Sequence, residues 1–501
     1  MRGRFAVLSG LALVLAGCIG SVPVATDEGE DGLAPAVTLP GAVTIHRGTV
    51  EVTGDSLAAL ASSIPSVLAR STGHDGAEPT LGVLDDGTIF FIAFENVLRS
   101  RDHGETWEDV TPYPVVRAPV LNRGVPPTLD PFLHVDRLTN RVFVNQLTVA
   151  CSYMSISDNG GDTWIVNPVA CGRPGIDHQK VGTAAPHAGS FAQPVSAAYP
   201  NLVYFAYNDL ANLGGSSVSI SLDGGLTFPV TRETVPSNEP FSCSGGLHGN
   251  VRASVTGTLY IPKRSCFGMI AATSYNSGFT WTQQLVGGDV GSTKCRKNPD
   301  IGTDTEGHAY AVWPAADEEL YLARSVTDGR QWSSSTKLSP PQIEVATMPV
   351  IAAGSPGRIA VAYYGIERDQ TEDAPPDRVS ESGRWHLYLT TSQNALDDEP
   401  TFVTVRVTPE DDPIQIGPIS TNSGCGNPPG SRNLLDFIDI VLDKDGRAHV
   451  AYADGCTEGC AGNPEATMAN SRSRLGMLAL VAAGPSLYAD LGELPALPGL
   501  P

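Results

Sequence analysis

The chain has 501 residues, of which 17% are charged, and it carries 53 glycines and 39 prolines. Its formal net charge of −22 argues against nucleic acid and anionic membranes as partners, because both would repel it. The length alone would predict about three domains.

The first 40 residues have the pattern of an export signal followed by a tether. Arg2 and Arg4 precede an apolar stretch that is too short to span a membrane comfortably. This stretch ends in Leu15-Ala16-Gly17-Cys18, which resembles the lipobox of prokaryotic lipoproteins. The resemblance implies a signal peptide over residues 1–17 and lipid attachment at Cys18. A plain secretory signal that contains a cysteine is the alternative.

Residues 18–40 are rich in Gly, Pro and acidic side chains, so they predict a flexible tether after the lipidated cysteine. We therefore expect an exported protein, at the cell surface or in the periplasm, that a lipid anchors to a membrane.

One motif, Ser-x-Asp-x-Gly-x-Thr-Trp, returns five times with variations between residues 100 and 332. The predicted turn residues and their aromatic partners are Asp102 with Trp107, Asp158 with Trp164, Asp223 with Phe228, Asn276 with Trp281, and Asp328 with Trp332. A short carboxylate or amide closes such a turn, Gly supplies a positive φ, and the aromatic ring buries apolar surface. We therefore interpret these residues as structural rather than catalytic.

The repeats resemble the Asp-boxes, also called BNR repeats, of sialidase-like β-propellers, and the resemblance covers roughly residues 45–482. It implies an all-β fold of four-stranded antiparallel blades, with each box between the third and fourth strands and opposite the binding face. The hairpin patterns between the boxes predict seven blades, with six as the alternative.

We therefore expect a single propeller domain over residues 41–484, followed by a Pro-rich tail over residues 485–501. Residues 42–52 alternate apolar and polar side chains, and we expect them to supply the outer strand that closes the ring.

Eight cysteines remain after Cys18, and an even number in an exported chain indicates disulfides. They are Cys151, Cys171, Cys243, Cys266, Cys295, Cys425, Cys456 and Cys460. Each precedes an inner strand or follows a second strand, so we expect all eight on the face opposite the boxes. Cys151–Cys171 and Cys243–Cys266 are the preferred pairs, and Cys425 pairs with Cys456 or Cys460. A zinc site is disfavoured because no histidine pair has zinc-like spacing.

The inner strands of a propeller run in the same direction, so the residues that open them gather at one tunnel mouth. These residues are Glu78, Asp130, Asp177, His178, Lys180, Glu239, Asp300 and Asp436. Crowded carboxylates raise one another's pKa or recruit a cation, so calcium is the candidate cofactor, although no metal is certain. Arg296 and Arg432 lie near inner-strand starts and are candidate anion-binding residues.

Sialidases carry a Phe/Tyr-Arg-Ile-Pro signature and an arginine triad, and neither is identifiable in this chain. The nearest fragment, Arg117-Ala-Pro119, follows the first box instead of preceding it. Whether the protein is an enzyme therefore stays open. The preferred function is a binding module for a glycan or protein. The alternatives are a glycoside hydrolase that uses two mouth carboxylates, such as Asp177 and Asp300, and a structural or assembly factor at the cell surface.

Overall fold

Strands account for almost all of the regular structure in the computed structural model. The described residues are 37–38, 42–47, 50–51, 61–112, 130–147, 152–169, 175–194, 199–209, 215–236, 247–265, 268–287, 298–315, 317–367, 383–417, 419, 434–457 and 474–497. All of them belong to one compact unit, Ala36–Pro501. The predicted signal peptide and Cys18 lie outside the described residues.

The N-terminal elements are β1 (Val37–Thr38), β2 (Val43–Arg47), β3 (Val50–Glu51), a 3-10 helix (Ala61–Ser63) and β4 (Ser66–Asp75). Blade one contains β5 (Thr80–Val83), β6 (Ile89–Ala93), β7 (Asn96–Ser100) and β8 (Glu108–Asp109). Blade two contains β9 (Pro131–Asp136), β10 (Arg141–Leu147), β11 (Ser152–Ser157) and β12 (Ile165–Pro168). Blade three contains β13 (Ile176–Ala184), β14 (Leu202–Asp209), β15 (Gly215–Ser221) and β16 (Val230–Val235).

Blade four contains β17 (Arg252–Ala253), β18 (Leu259–Ser265), β19 (Gly268–Ser274) and β20 (Thr282–Gly287). Blade five contains β21 (Asp300–Thr303), β22 (Ala309–Pro314), β23 (Leu320–Ser325) and β24 (Thr336–Lys337). Blade six contains β25 (Ile343–Ala353), β26 (Ile359–Glu367), β27 (Arg384–Ser392) and β28 (Thr401–Arg406), and β29 (Gln415–Ile416) also pairs with β27. Blade seven contains β30 (Asp439–Leu442), β31 (Ala448–Asp454), β32 (Leu475–Ala483) and β4.

The prediction of seven four-stranded antiparallel blades is confirmed, and the six-bladed alternative is wrong. We call the end of the ring where the inner strands begin the top face. The bottom face is the end where the inner strands finish, and it also holds the turns between third and fourth strands. In the part of the chain that the structure describes, no helix has the length and apolarity to cross a bilayer.

The ring closes through β4, not through the segment 42–52 that we expected to close it. β4 pairs with β32, where Leu68 lies opposite Leu480, so one sheet holds strands from both ends of the propeller sequence. β2 instead pairs with β28 as an additional strand of blade six, where Val43 lies opposite Val405. Alternation of apolar and polar residues fits any half-exposed sheet edge, so the pattern identified a strand but not its partner.

The inner strands approach one another closely around a central channel of about 600 Å³. Glycines make this approach possible. A Cβ on Gly82 would lie 2.3 Å from Val135 Cγ2, and a Cβ on Gly182 would lie 2.8 Å from the backbone oxygen of Val251. Any larger side chain at these positions would push neighbouring blades apart.

The turns between third and fourth strands are closed by hydrogen bonds from side chains. Asp102 Oδ1 accepts a bond from the backbone N–H of Thr106 (2.9 Å), and Ser100 Oγ accepts one from Gly104 N–H (2.8 Å). Asp223 and Asn276 accept the corresponding bonds in blades three and four. The aromatic residues of the five turns are partly buried against the core, namely Trp107, Trp164, Phe228, Trp281 and Trp332.

Two predicted turn residues have other partners. In blade two, Asn159 accepts the turn bond from Thr163 N–H, whereas Asp158 forms an ion pair with Arg141 (2.5 Å). In blade five, Thr327 closes the turn, and Asp328 accepts a hydrogen bond from Thr258 of blade four (2.6 Å). In all five turns, the side chain that accepts the turn hydrogen bond lies two residues after the serine. A second polar residue beside it makes this position hard to identify from the sequence.

Residues after β32 cover part of the bottom face. Ser355 N–H donates to Leu487 O (2.8 Å), Leu487 N–H donates to Gly446 O (3.1 Å), and Arg447 Nη2 donates to Pro495 O (2.6 Å). Leu487, Leu494 and Leu497 are buried. The segment that we predicted as a separate tail therefore packs as part of the propeller, as far as Leu497.

Candidate functional site

Residues that precede or open the inner strands meet at the top face. We call the following group the mouth cluster: Glu78, Asp130, Asp177, His178, Lys180 and Asp436. Glu78 precedes β5, Asp130 precedes β9, and Asp436 precedes β30. Asp177, His178 and Lys180 lie in β13. Three predicted residues, Glu239, Arg296 and Arg432, lie outside the described residues.

Asp130 is the shared acceptor of the mouth cluster. Its Oδ2 accepts a hydrogen bond from His178 N–H (3.0 Å), and its side chain is hydrogen-bonded to Glu78 and to Asp177. Two carboxyl groups form a hydrogen bond only when one of them carries a proton. The pKa values of Glu78 and Asp177 are both raised, so these two side chains hold the protons and donate the hydrogen bonds to Asp130.

Burial sets the charges of this group. Burial, followed by the charge of Asp130, holds the pKa of Glu78 well above its usual range and raises the pKa of Asp177 to about 8. Burial also lowers the pKa of Lys180 to about 8 and outweighs the attraction of the carboxyl groups near it. Lys180 Nζ lies 3.0 Å from the centroid of the Phe437 ring, so its charge meets an aromatic face.

The backbone beside the mouth is strained in four blades. Four residues have φ between 52° and 56°, in the left-handed region that residues other than glycine rarely adopt: Glu78, His178, Met348 and Leu435. His178 and Met348 also coincide with register shifts in β13 and β25. Each such residue costs on the order of 1–3 kcal/mol, and strain of this kind collects at functional sites.

Several buried polar atoms of the mouth have no hydrogen-bond partner within the described ranges. They are Glu78 Oε2, Lys180 Nζ, Asn298 Oδ1 and His248 Nε2. Asn298 Nδ2 contacts His178 Nε2 at 2.9 Å, and the His248 ring packs edge-on against the His178 ring. A buried polar atom without a partner costs about 1–3 kcal/mol, so this mouth is built to receive further hydrogen bonds.

Asp300 does not join the mouth cluster through its side chain. Its Oδ2 lies 3.3 Å from Arg252 Nη2 and accepts a hydrogen bond from Ile351 N–H (3.2 Å). The same Arg252 nitrogen lies 3.6 Å from Asp439 Oδ1. Asp439 in turn accepts a bond from Leu81 N–H (3.3 Å), and burial raises its pKa to about 6. Asp300 therefore belongs to an ion pair that joins inner strands, and Asp130, not Asp300, is the partner of Asp177.

Sequence reasoning missed four residues at or below the mouth: His248, Arg252, Asn298 and Asp439. Asn298 and Asp439 stand at inner-strand starts, so the rule that found Glu78 would have found them. His248 and Arg252 carried no comparable signal, because the start of the short strand β17 is weakly marked in the sequence.

One predicted cysteine lies in the described part of the chain. Cys456 follows β31, is buried and disulfide-bonded, and donates its N–H to Asp454 Oδ1 (2.8 Å). The other seven lie outside the described ranges, so the preferred pairs stay predictions. Within those ranges, no group of three or more His, Cys, Asp or Glu side chains is placed to hold a metal ion.

The strand pairing defines a seven-bladed β-propeller. Several solved structures are similar to this chain. An intramolecular trans-sialidase from Ruminococcus gnavus is similar over 86% of this chain and 98% of its own (12% identity, TM-score 0.39). A leech intramolecular trans-sialidase is similar over 81% and 69%, and an Aleuria aurantia lectin over 68% and 99% (both 12% identity, TM-score 0.39).

A Dyadobacter fermentans protein of unknown function is similar over 88% of this chain and 100% of its own, with 14% identity and a TM-score of 0.41. The chain matches no protein-family model and no curated protein sequence. Similarities of this size concern the fold alone.

The proton on Asp177 predicts a pH-dependent difference between the wild type and Asp177→Asn. The pKa of Asp177 is about 8 in the folded chain and about 4 when unfolded, so its stabilising contribution is complete below about pH 4 and lost above about pH 8. We expect the wild type to lose stability relative to Asp177→Asn as the pH rises between these values, by at most about 1.4 kcal/mol per pH unit. Denaturant unfolding of both proteins across this range measures the difference, and parallel pH profiles would contradict the assignment.

Proposed function

We propose that this chain is an exported lipoprotein, anchored through Cys18, whose propeller binds a glycan at the mouth cluster. The observation that carries this proposal is the hydrogen-bonded set of three carboxyl groups formed by the buried Glu78 and Asp130 with the half-buried Asp177. The anchor is supported by the Leu-Ala-Gly-Cys motif at residues 15–18.

The mouth offers what sugar hydroxyl groups need. Each hydroxyl both donates and accepts a hydrogen bond, and the mouth holds polar atoms of both kinds. Glu78 Oε2 and Asn298 Oδ1 are unpaired acceptors within the described residues, and Lys180 Nζ is an unpaired donor there. Such a balance favours a neutral, hydroxyl-rich ligand over a strongly charged one.

Hydrolysis of a glycoside is the second candidate function, and Asp177 is the reason to keep it. A carboxyl with a pKa of about 8 is protonated at neutral pH, as a general acid must be, and the carboxyl group of Asp130 lies beside it. Asp130 is poorly suited to act as the nucleophile, because it is buried and already accepts bonds from Glu78, Asp177 and His178 N–H. Binding without turnover is therefore the preferred function.

The test is a glycan-array and fluorogenic-glycoside screen of the full chain in detergent, with and without calcium. The variant is Asp177→Asn, and the matched control is Asp398→Asn, because Asp398 is a fully exposed carboxylate. We expect binding of at least one glycan class, weakened roughly 10-fold to 100-fold in Asp177→Asn and unchanged in the control.

The other outcomes decide between the alternatives. Turnover that disappears in Asp177→Asn would replace the binding function by hydrolysis. If the screen shows no binding and no turnover, glycan binding and glycoside hydrolysis are both refuted. A protein ligand, as expected of a structural or assembly factor, is then the remaining candidate.

A further inference from the structure

Among the described residues, most of the large apolar side chains that are exposed lie at the bottom face. Nine large apolar side chains of the described residues are exposed, and six of them follow first or third strands of blades or lie in the C-terminal segment, all at the bottom. We call five of these the apolar patch: Leu138 (66% exposed), Phe191 (102%), Leu226 (44%), Val255 (63%) and Val326 (62%). They lie in blades two to five.

The turns that carry the patch contact one another. Thr256, next to Val255, donates a hydrogen bond to Asp328 in the turn of Val326 (3.2 Å). Gly257 of the same turn packs so tightly against His187, in the connection that carries Phe191, that a Cβ on it would lie 2.8 Å from His187 Cα. The apolar side chains of blades three to five therefore project from one continuous surface.

The connection that carries Phe191 is unlike the other connections between first and second strands. It spans residues 185–201, seventeen residues, whereas the other six have four or five. His187 N–H donates to Ser277 Oγ (2.9 Å), Ser190 Oγ donates to Asn276 O (3.3 Å), and Ala192 is buried. The residues on both sides of Phe191 are thus fixed to the propeller, and the phenyl group of Phe191 is held in solvent.

A fixed, fully exposed phenylalanine on a rim of aliphatic turn residues suits insertion into the interface of a lipid bilayer. The predicted lipid on Cys18 would hold the propeller close to such a bilayer. Eighteen residues lie between Cys18 and Val37, the first described residue, and an extended chain of that length reaches roughly 60 Å. A blade strand of seven residues is only about 24 Å long, so this reach is sufficient for either face.

Charge decides which lipids the patch meets. The chain has a net charge of −22, and the turn carboxylates Asp223 and Asp328 lie beside patch residues. Anionic lipid headgroups would repel this face, whereas zwitterionic headgroups would not.

We infer that the bottom face, through Phe191 and the other residues of the apolar patch, rests on the zwitterionic surface of the membrane that holds the Cys18 lipid. The mouth cluster then faces away from the bilayer, toward ligands in the surrounding medium. This inference rests on the lipid anchor of the proposed function.

The test places a tryptophan at the patch and brominated lipid in the membrane. Full-length lipidated Phe191→Trp is reconstituted into phosphatidylcholine vesicles whose acyl chains are brominated near the carbonyl end, and the emission of the wild type is subtracted. The matched control is Leu285→Trp, because Leu285 is an exposed apolar residue on an outer strand of blade four. We expect Phe191→Trp to lose most of its added emission and Leu285→Trp to keep it. Added phosphatidylglycerol should weaken the quenching.

Flotation of the vesicles and the mass of the N-terminal peptide separate the two ways in which the inference fails. If the protein floats with lipid on Cys18 and Phe191→Trp is not quenched, the anchor stands and the bottom face does not meet the membrane. A protein partner then becomes the occupant to seek. If Cys18 carries no lipid and the protein does not float, the anchor fails and the inference fails with it. Stronger quenching in anionic vesicles would overturn the choice of zwitterionic lipid.

Discussion

Replacing Arg252 by Met is expected to destabilise the propeller by about 3–5 kcal/mol, which is a large part of the stability of a typical folded domain. The guanidinium of Arg252 is the cation between the buried carboxylates of Asp300 and Asp439. Met keeps much of the side-chain volume but leaves the two buried carboxyl groups without their cation. The measurement is the free energy of unfolding from denaturant titration.

Arg324→Met is the matched control for this substitution. Arg324 forms an ion pair with Asp398 at 3.0 Å, but Asp398 is fully exposed, so we expect a loss of no more than about 1 kcal/mol. In Arg252→Met, the pKa of Asp439 should rise further above its folded value of about 6, so the variant should recover stability as the pH is lowered. Adding Asp439→Asn should restore part of the loss at neutral pH. Equal losses in Arg252→Met and Arg324→Met would refute a buried ion pair that joins the blades.

Truncation after Gly484 is the second change with a large expected effect, about 5 kcal/mol of unfolding free energy or more. It removes three buried leucines, Leu487, Leu494 and Leu497, each of which contributes about 1.5–3 kcal/mol when fully buried. It also removes Pro495 O as an acceptor for the buried guanidinium of Arg447, and Ser486 O as the acceptor for Arg358 Nη1 (2.7 Å). The midpoint of denaturant unfolding reports the loss.

Truncation after Leu497 is the control, because it keeps every described contact of the C-terminal segment. We expect this shorter truncation to leave the unfolding midpoint unchanged. If the truncation after Gly484 were equally harmless, residues 485–501 would be a true tail, as composition alone predicts.

The buried ion pair of Arg252 supports the mouth cluster from below. The Arg252 ion pair joins β17 to β21 and β30, and Asp300 and Asp439 also accept N–H groups of β25 and β5. The inner strands that open at the mouth cluster are thus fixed to one another just below it. Such rigidity is what allows strained residues such as Glu78 and His178 to keep their positions.

The architecture could be predicted from the sequence because its signals are local. A turn closed by Asp102 or Asp223 depends only on residues within a few positions of that side chain. Each repeat in the sequence therefore indicates one blade. The start of the inner strand is also a local feature, and strands that run in one direction bring their first residues to one end. This is why the sequence alone could place Glu78, Asp130 and Asp177 together.

What depends on long-range pairing could not be predicted in the same way. Residues 42–52 have the pattern of an edge strand, but only the closed ring determines that β4 completes blade seven while β2 extends blade six. Asp300 lies at a strand start, as Asp130 does, but its side chain forms an ion pair with Arg252 of a neighbouring blade. Composition likewise gave no reason to expect that residues 485–497 would pack against the bottom of the ring.

The repeats, a preference for seven blades over six, and the positions of Glu78, Asp130 and Asp177 near inner-strand starts all followed from the sequence. The tertiary structure alone decided which of those acids share protons, which are neutralised by arginine, and which apolar turn residues remain in solvent. The physical reason is that burial and pairing set the charge of a carboxyl group, and both depend on side chains that are distant in sequence but adjacent in the ring.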